Sequence, residues 1–316
     1  MAPSWETRGL HSESGGGRGL TAWDAVCVDS IITITDLFIY NPADYLSATA
    51  TIVRSGTLLH GFNNVAYADG MSRFPWKRTV IALLLFGTAF GYLEAAVVSY
   101  LRTLHEPARQ RFHPGRSVSE LFPLLTLDQL RAGGAEQQRT LVTEIGREAA
   151  TIIMLAAVAL AVARNAGEWA AAFVIAFGTW DITFYIFLKV LLGWPASLFT
   201  WDILFLIPVP WASPVLAPVL VSAVMILTGV WHLRRNTHGE PVGIGVAQWT
   251  GIMGGAVAIV ISFAMDYRNV MAGGLPHPFH WGVFSAGLGI GVGSYAWAAR
   301  AERRVAAGTQ STGAAR

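Results

Sequence analysis

Apolar residues in this chain fall into bilayer-length runs that begin near Thr79 and are separated by polar segments. About 20 helical residues cross the roughly 30 Å hydrocarbon core of a bilayer, so each run, with its flanks, is long enough to span it. The pattern predicts an all-α integral membrane protein, a bundle of about six transmembrane helices. The predicted spans cover residues 79–101, 147–164, 169–194, 213–233, 244–265 and 281–299.

Two of these runs differ in length from an ordinary span. The second is short, and the spacing of Leu141, Ile145 and Ala149 predicts that its helix begins earlier, as an amphipathic lead-in. The fourth is preceded by extra apolar sequence that is interrupted by prolines, which break helices. This composition predicts a proline-broken or re-entrant segment before the fourth span, with Trp201 to Ile207 as a half-helix or interfacial helix.

Glycines spaced four apart occur in three of the predicted spans. Such pairs let helix backbones approach closely in a bilayer, so they predict helix-packing faces. The pairs are Gly87 with Gly91, Gly251 with Gly255, and Gly287 with Gly291.

The chain is predicted to have three parts. Residues 1–70 are predicted to be a poorly structured N-terminal extension. A short basic segment follows Met71 directly before the first apolar run, so Met71 is the more natural start of the protein. Residues 71–300 form the transmembrane domain, and within it residues 103–145 are an outer loop with short helices, since Thr126 to Gln129 is a capping-box pattern. Residues 301–316 are predicted to be a disordered cytoplasmic tail.

Composition supports a membrane protein and excludes some functions. The chain is 53% hydrophobic and only 13% charged, against about 25% charged in soluble domains. Its partner is therefore the lipid bilayer. A net charge of +2 with dispersed arginines indicates no nucleic-acid partner. A single cysteine, Cys27, excludes an internal disulfide framework and any cysteine-based metal cluster.

Basic residues near the span ends predict the orientation, because cytoplasmic loops are enriched in Lys and Arg. Four groups fall on one side and place both termini in the cytoplasm of a bacterial inner membrane. The arginines of the loop from Arg102 to Arg147 oppose this assignment, although its length reduces their weight. The four groups are Lys77 with Arg78, Arg164, Arg234 with Arg235, and Arg300 with Arg303 and Arg304.

The tripeptide Thr-Trp-Asp occurs twice, and it places carboxylates in or beside an apolar region. Asp181 lies near the middle of the third span, whereas Asp202 follows the turn at its outer end. A charge inside a bilayer is costly and usually faces a partner, water or a cavity. Tyr185 and Lys189 share the helical face of Asp181, but Asp181 and Lys189 are about 12 Å apart by helix rise and cannot pair.

Glu94 is the simplest predicted partner of Lys189, as either a structural or a functional ion pair. The candidate intramembrane polar site, open to the outer side, therefore comprises Glu94, Trp180, Asp181, Tyr185, Lys189 and Asp202. In this set Trp180 either lines a pocket or packs in the core.

Other polar residues are predicted at the outer ends of the spans, and together they could form a metal site. Glu144 and Glu148 share a helical face, and His277 and His280 are close in sequence. Carboxylates and imidazoles are metal ligands, but residues of these types at helix ends and in loops are ordinarily solvated.

Several segments of the chain resemble a family of uncharacterised bacterial multi-pass membrane proteins. The resemblance covers Met71 to about Ala299 and supports Met71 as the start. It implies no activity, so it assigns no catalytic or binding residue. The segments are residues 91–102 (GYLEAAVVSYLR), 147–151 (REAAT), 180–189 (WDITFYIFLK) and 200–218.

Three functions remain open at this stage. One is a membrane scaffold or assembly partner in which the charges fix helix packing. Another is a transporter or permeation protein, since proline-broken helices beside midplane charges typify transport sites. The last is an outer-leaflet enzyme on a lipid-linked substrate, in which Asp202, Glu148, His277 or His280 activates water, with or without a metal. The sequence specifies no cofactor, substrate or oligomeric state.

Overall fold

The structure is a computed structural model that describes residues 76–117, 120–238 and 242–313, with side chains described up to residue 300. The predictions about residues 1–70 and about Met71 as the start lie outside the described residues.

Helices dominate the described chain. The long helices are α1 (Trp76–Phe112), α3 (Ala135–Val162), α4 (Ala166–Leu192), α5 (Leu216–Thr237), α6 (Val246–Ala264) and α8 (Trp281–Gly313), and the short ones are α2 (Leu127–Ala132) and α7 (Tyr267–Met271). Within the described residues, five helical ranges are long and apolar enough to cross a membrane: α1, α3, α4, α5 and the range Val246–Met271, which joins α6 to α7. The class of the fold, a mostly helical protein of membrane-spanning character, is as predicted.

Element boundaries differ from the prediction mainly at the ends. Helix α1 continues to Phe112 and α3 begins at Ala135, so the connection between them is shorter than the predicted loop 103–145. The early start of α3 includes the predicted amphipathic lead-in. The capping box is present at α2, where the Thr126 hydroxyl accepts from the Gln129 N–H. Helix α8 runs on to Gly313, so the predicted disordered tail is helical to that residue.

The segment before α5 is a β-hairpin, and the predicted half-helix at Trp201 to Ile207 is wrong. Strand β1 (Trp201–Phe205) pairs antiparallel with β2 (Trp211–Pro214), with Asp202 opposite Ser213. Pro208 and Pro210 cannot continue a helix, and here they lie in the turn, where their missing N–H groups interrupt no ladder. The aromatic and β-branched residues beside them favour strands.

Close contacts at two glycines show how α1 and α4 run relative to each other. A Cβ on Gly87 would lie 2.7 Å from the Thr179 Cβ, and one on Gly91 would lie 2.8 Å from the Phe184 nitrogen. Because both positions advance together along α1 and α4, these helices are parallel and in close backbone contact. The glycine pair Gly87 and Gly91 is a packing face, as its spacing predicts.

The remaining helices alternate around α1 and α4. Helix α3 runs antiparallel to α1, since Glu94 in the middle of α1 meets Thr151 of α3, whereas His105 further along α1 meets Gln137 near the start of α3. Helix α5 runs antiparallel to α4: a Cβ on Gly178 would lie 2.6 Å from the Ser222 carbonyl oxygen, and one on Gly229 would lie 2.8 Å from the Ala171 oxygen. One end of the bundle therefore holds the ends of α1 and α4, the start of α3 and the hairpin.

The other half of this bundle is filled by an apolar core. Leu83, Phe90, Leu155 and Ile175 are buried there, and Trp180 closes the core toward the middle of the bundle.

Candidate functional site

A cavity of about 520 Å³ occupies the end of the bundle where α1 and α4 end and α3 begins. Its walls come from α1, α3, α4, the hairpin, α7 and the segment 120–130. It extends from Asp181, in the middle of α4, outward to Leu127, which is half exposed. The volume falls within the 300–1,000 Å³ that is usual for small-molecule sites.

Carboxylates outnumber guanidinium groups around this cavity. The carboxylates are Glu94, Glu106, Glu120, Glu144, Glu148, Asp181 and Asp202, and the guanidinium groups are Arg102, Arg109 and Arg147. Five of the six residues predicted to form the intramembrane polar site line it: Glu94, Trp180, Asp181, Tyr185 and Asp202.

Lys189 is not part of the site, and the predicted Glu94–Lys189 contact is wrong. The Lys189 ammonium donates to the carbonyls of Gly193, at 3.0 Å, and Pro195, at 2.8 Å. It therefore satisfies carbonyl groups where α4 ends. A lysine in the last turn of a helix is well placed for this role, because the terminal carbonyls lack partners within the helix.

Glu94 pairs instead with Arg147 on α3. The Arg147 guanidinium donates to Glu94 and also to Glu144, with Nε at 2.9 Å from the Glu144 Oε1. Glu94 is only 4% exposed, and its other oxygen accepts from the Thr151 hydroxyl at 2.7 Å. One guanidinium therefore serves two carboxylates, and this cluster joins α1 to α3 at the wall of the cavity.

Glu148 fixes the hairpin to the bundle. Both of its carboxylate oxygens accept from the backbone N–H of Leu206, at 3.1 and 2.8 Å. Leu206 immediately follows β1, so a buried side chain of α3 holds the start of the turn. The hairpin wall of the cavity thus depends on an α3 carboxylate that the sequence suggested as a metal ligand or a water-activating group.

The second aspartate stands on the hairpin and reaches α4. The Tyr185 hydroxyl donates to the Asp202 Oδ2 at 2.9 Å. Burial raises the pKa of Asp202 to about 6, although the nearby Arg102 guanidinium, the Tyr185 hydroxyl and the Ile203 N–H each favour the ionised form. The guanidinium of Arg102 lies over the Trp194 ring, 4.1 Å from its centroid.

The deepest polar group of the cavity is Asp181. Its Oδ2 accepts from the Ser222 hydroxyl of α5 at 2.8 Å. Among the residues that the structure describes, no Arg, Lys or His side chain forms an ion pair with Asp181 or Asp202. A carboxylate can accept about four hydrogen bonds, so both groups retain acceptor capacity.

Metal candidates from the sequence are separated in space. Glu144 and Glu148 line the cavity, whereas His277 and His280 do not. The His277 ring contacts Asp266, with Nδ1 at 2.7 Å from Oδ1, and the His280 carbonyl accepts the N–H of Phe284 where α8 begins. Across the described ranges, no three His, Cys, Asp or Glu side chains are placed to hold a metal ion together.

Sequence reasoning did not assign the three cavity arginines, Arg102, Arg109 and Arg147, to the candidate site. Arg147 lies next to Glu148 and three residues after Glu144, so it could have been recognised as the partner of a carboxylate on the same helix. Its partner Glu94 lies on α1, 53 residues earlier in the sequence. Only the antiparallel packing of α3 against α1 brings these groups together.

Titration of Asp202 is expected to lower the stability of the folded protein as the pH rises. Because its pKa in the folded protein, about 6, lies above the ordinary value of 3.8, the folded state binds this proton more tightly than the unfolded state does. The contribution to the free energy of unfolding is full below about pH 4 and is lost as the pH rises to about 6, on the order of 3 kcal/mol in total.

Unfolding of detergent-solubilised protein between about pH 4 and about pH 7 checks this prediction, with Asp202→Asn as the test variant. We expect the variant to lose that part of the pH dependence, whereas Asp128→Asn, on the exposed face of α2, keeps it. A variant with the slope of the unmodified protein would show that Asp202 titrates alike in both states.

Comparison of the chain with protein-family models, curated proteins and solved structures finds no match.

Proposed function

We propose that this protein is a transport or permeation protein of the bacterial inner membrane, with six transmembrane helices and a binding cavity that is open to the outer side. The observation that carries the proposal is the cavity itself, which reaches from one end of the bundle to Asp181 in the middle of α4. A site of this depth, lined by two aspartates, Asp181 and Asp202, that form no ion pair among the described residues, has the setting in which membrane proteins bind solutes.

Helix α8 is the sixth span of the proposed topology. It packs along α6 at glycine contacts, since a Cβ on Gly255 would lie 2.5 Å from the Gly287 carbonyl oxygen. Frequent glycines lower the hydropathy of α8, but they also allow the close backbone packing that stabilises helix pairs in lipid.

The basic groups at span ends support the orientation. Lys77 and Arg78 lie at the start of α1, Arg164 lies between α3 and α4, and Arg234 and Arg235 lie in the last turn of α5. Helix directions place all of these at the end of the bundle opposite the cavity. If that end is cytoplasmic, the cavity faces outward and both termini are cytoplasmic.

The cavity favours transport over the two alternatives. A scaffold uses charges to hold helices together, as Arg147 does with Glu94 and Glu144, but it does not require a deep open cavity. For the enzyme, four groups were suggested for water activation. His277 and His280 lie outside the cavity, whereas Glu148 and Asp202 line it but already accept hydrogen bonds from Leu206 and Tyr185. A scaffold role would account for the contact of Asp181 with Ser222 of α5, but not for the position of this carboxylate at the inner end of an open cavity.

Cysteine labelling from the outside tests the proposal. In a Cys27→Ser background, we expect Val98→Cys, which lines the cavity, to react with a membrane-impermeant maleimide added to intact cells. Ala166→Cys, an exposed position at the opposite end, should react only after permeabilisation. Ile186→Cys, exposed on α4 but not lining the cavity, should stay unreactive because it faces lipid.

Two results would contradict the proposal. Reaction of Val98→Cys only after permeabilisation would place the cavity on the cytoplasmic side. Absence of reaction under both conditions, in folded protein, would mean that the cavity is closed to solutes.

A further inference from the structure

We propose that the ligand of this cavity is an organic cation with an apolar body, whose charged end is held by Asp181 and Asp202 beside the ring of Trp180. This inference rests on the proposed function, because it names the class of solute that the outward-facing cavity accepts.

Unpaired negative groups come together at the inner end of the cavity. Asp181 and Asp202 are 9% and 6% exposed. Tyr185 follows Asp181 by one helical turn on α4, and its hydroxyl donates to Asp202. Within the described residues neither aspartate has an ion-pair partner. Arg102 acts on Asp202 only from beyond ion-pair distance, so a cationic ligand would supply the direct ion pair that both carboxylates lack.

Aromatic rings surround the same place. The Trp180 ring is 7% exposed and lines the cavity with Phe184, Tyr185 and Phe205. Rings with carboxylates nearby are the usual recognition site of alkylated ammonium groups, which are attracted to the ring face and bring little desolvation cost.

The indole Nε1–H of Trp180 is buried and has no hydrogen-bond partner in the part of the chain that the structure describes, and the same holds for Trp194 and Trp211. Buried indole N–H groups normally find an acceptor. Of these three residues, Trp180 lines the cavity, so its N–H is the one that an acceptor on the ligand would satisfy.

The guanidinium groups of the cavity argue against an anionic ligand, because each has a partner already. Arg147 is bound by Glu94 and Glu144. Arg109 donates to the carbonyls of Ser117 and Glu120, and Arg102 lies over Trp194 near Asp202.

The outer part of the cavity is apolar. The segment 121–130 contributes five leucines and a proline to the wall, and Leu127 among them is 44% exposed. Apolar surface of this kind binds a hydrocarbon chain by removing it from water, at about 25 cal/mol per Å². An alkyl or aryl body attached to the cation would lie against these leucines.

Protection of the Val98→Cys label tests the inference with three matched probes: hexyltrimethylammonium, tetramethylammonium, which lacks the chain, and hexanesulfonate, which reverses the charge. We expect hexyltrimethylammonium to slow labelling by about tenfold or more, as a desolvated cation held by aromatic rings would. Tetramethylammonium should need a higher concentration, and hexanesulfonate should not protect. As a second measurement, hexyltrimethylammonium should raise the Tm of the otherwise unmodified protein.

The outcomes separate this inference from the proposed function. Labelling that none of the probes slows, with no shift in Tm, overturns the inference and leaves the open cavity intact. Equal protection by hexanesulfonate overturns the charge assignment, and equal protection by tetramethylammonium overturns the apolar body. If Val98→Cys is never labelled from outside, the proposed function fails, and this inference fails with it.

Discussion

Replacing Arg147 by glutamine is expected to destabilise the protein by about 3–5 kcal/mol, the range observed when one partner of a buried ion pair is removed. Glu94 would keep the Thr151 hydroxyl but lose its cationic partner, while remaining 4% exposed. Glu144 would lose the same partner. Unfolding of the purified protein in a mild detergent measures the change.

A double-mutant cycle with Glu94→Gln identifies the cause. If the pair acts as described, the double variant is less destabilised than the sum of the two single variants, because neither charge is then left buried alone. Arg131→Gln is the matched control, since Arg131 pairs with Asp128 in an exposed ion pair on α2, and such pairs contribute about 0–1 kcal/mol. Strictly additive losses would contradict a direct Glu94–Arg147 interaction.

Changing Asp181 to asparagine is expected to remove transport while leaving the protein folded. Asparagine keeps the shape of the side chain and its contact with Ser222, but it cannot supply the negative charge. Loss of one buried charged partner from a complex costs about 2 kcal/mol or more, which is roughly a 30-fold weaker interaction. Uptake of hexyltrimethylammonium into proteoliposomes should fall by at least that factor.

Asp128→Asn serves as the control for Asp181→Asn, because it removes the same charge from the exposed end of the molecule. It should transport as the unmodified protein does, and both variants should elute as monodisperse protein with a Tm near that of the parent. Uptake by Asp181→Asn at the parent rate would show that this carboxylate is not in the path of the solute.

The helical architecture could be predicted because bilayer-length apolar runs have few other interpretations. The hairpin could not be predicted, although Pro208 and Pro210 argue against a continuous helix in this segment. Proline excludes a helix interior but does not say which structure replaces it, and the pairing of Asp202 with Ser213 depends on residues that follow the turn.

The positions of polar residues along the predicted spans were enough to group most of the residues that line the cavity. Asp181 and Tyr185 are one turn apart on one face, and Asp202 is close to them because the chain returns after α4. Lys189 shared that face by sequence, yet it lies in the last turn, where unpaired carbonyls were nearer than any carboxylate. The choice between these partners depends on where a helix ends, which periodicity fixes poorly.

The Arg147 cluster shows what a single sequence leaves out. Glu94, Glu144 and Arg147 are all visible as charges beside apolar runs, but an ion pair between two spans requires their relative order and depth in the bundle. A pairing with Lys189 was equally consistent with the sequence until the antiparallel packing of α3 against α1 was known.

Uptake of radiolabelled hexyltrimethylammonium into proteoliposomes, compared with protein-free liposomes of the same lipid, tests most directly whether the cavity is a transport site. We predict saturable uptake that depends on the protein, is unaffected by hexanesulfonate and is lost in Asp181→Asn. Uptake no faster than in protein-free liposomes, with folded protein in the membrane and Val98→Cys accessible from outside, would contradict a transport function.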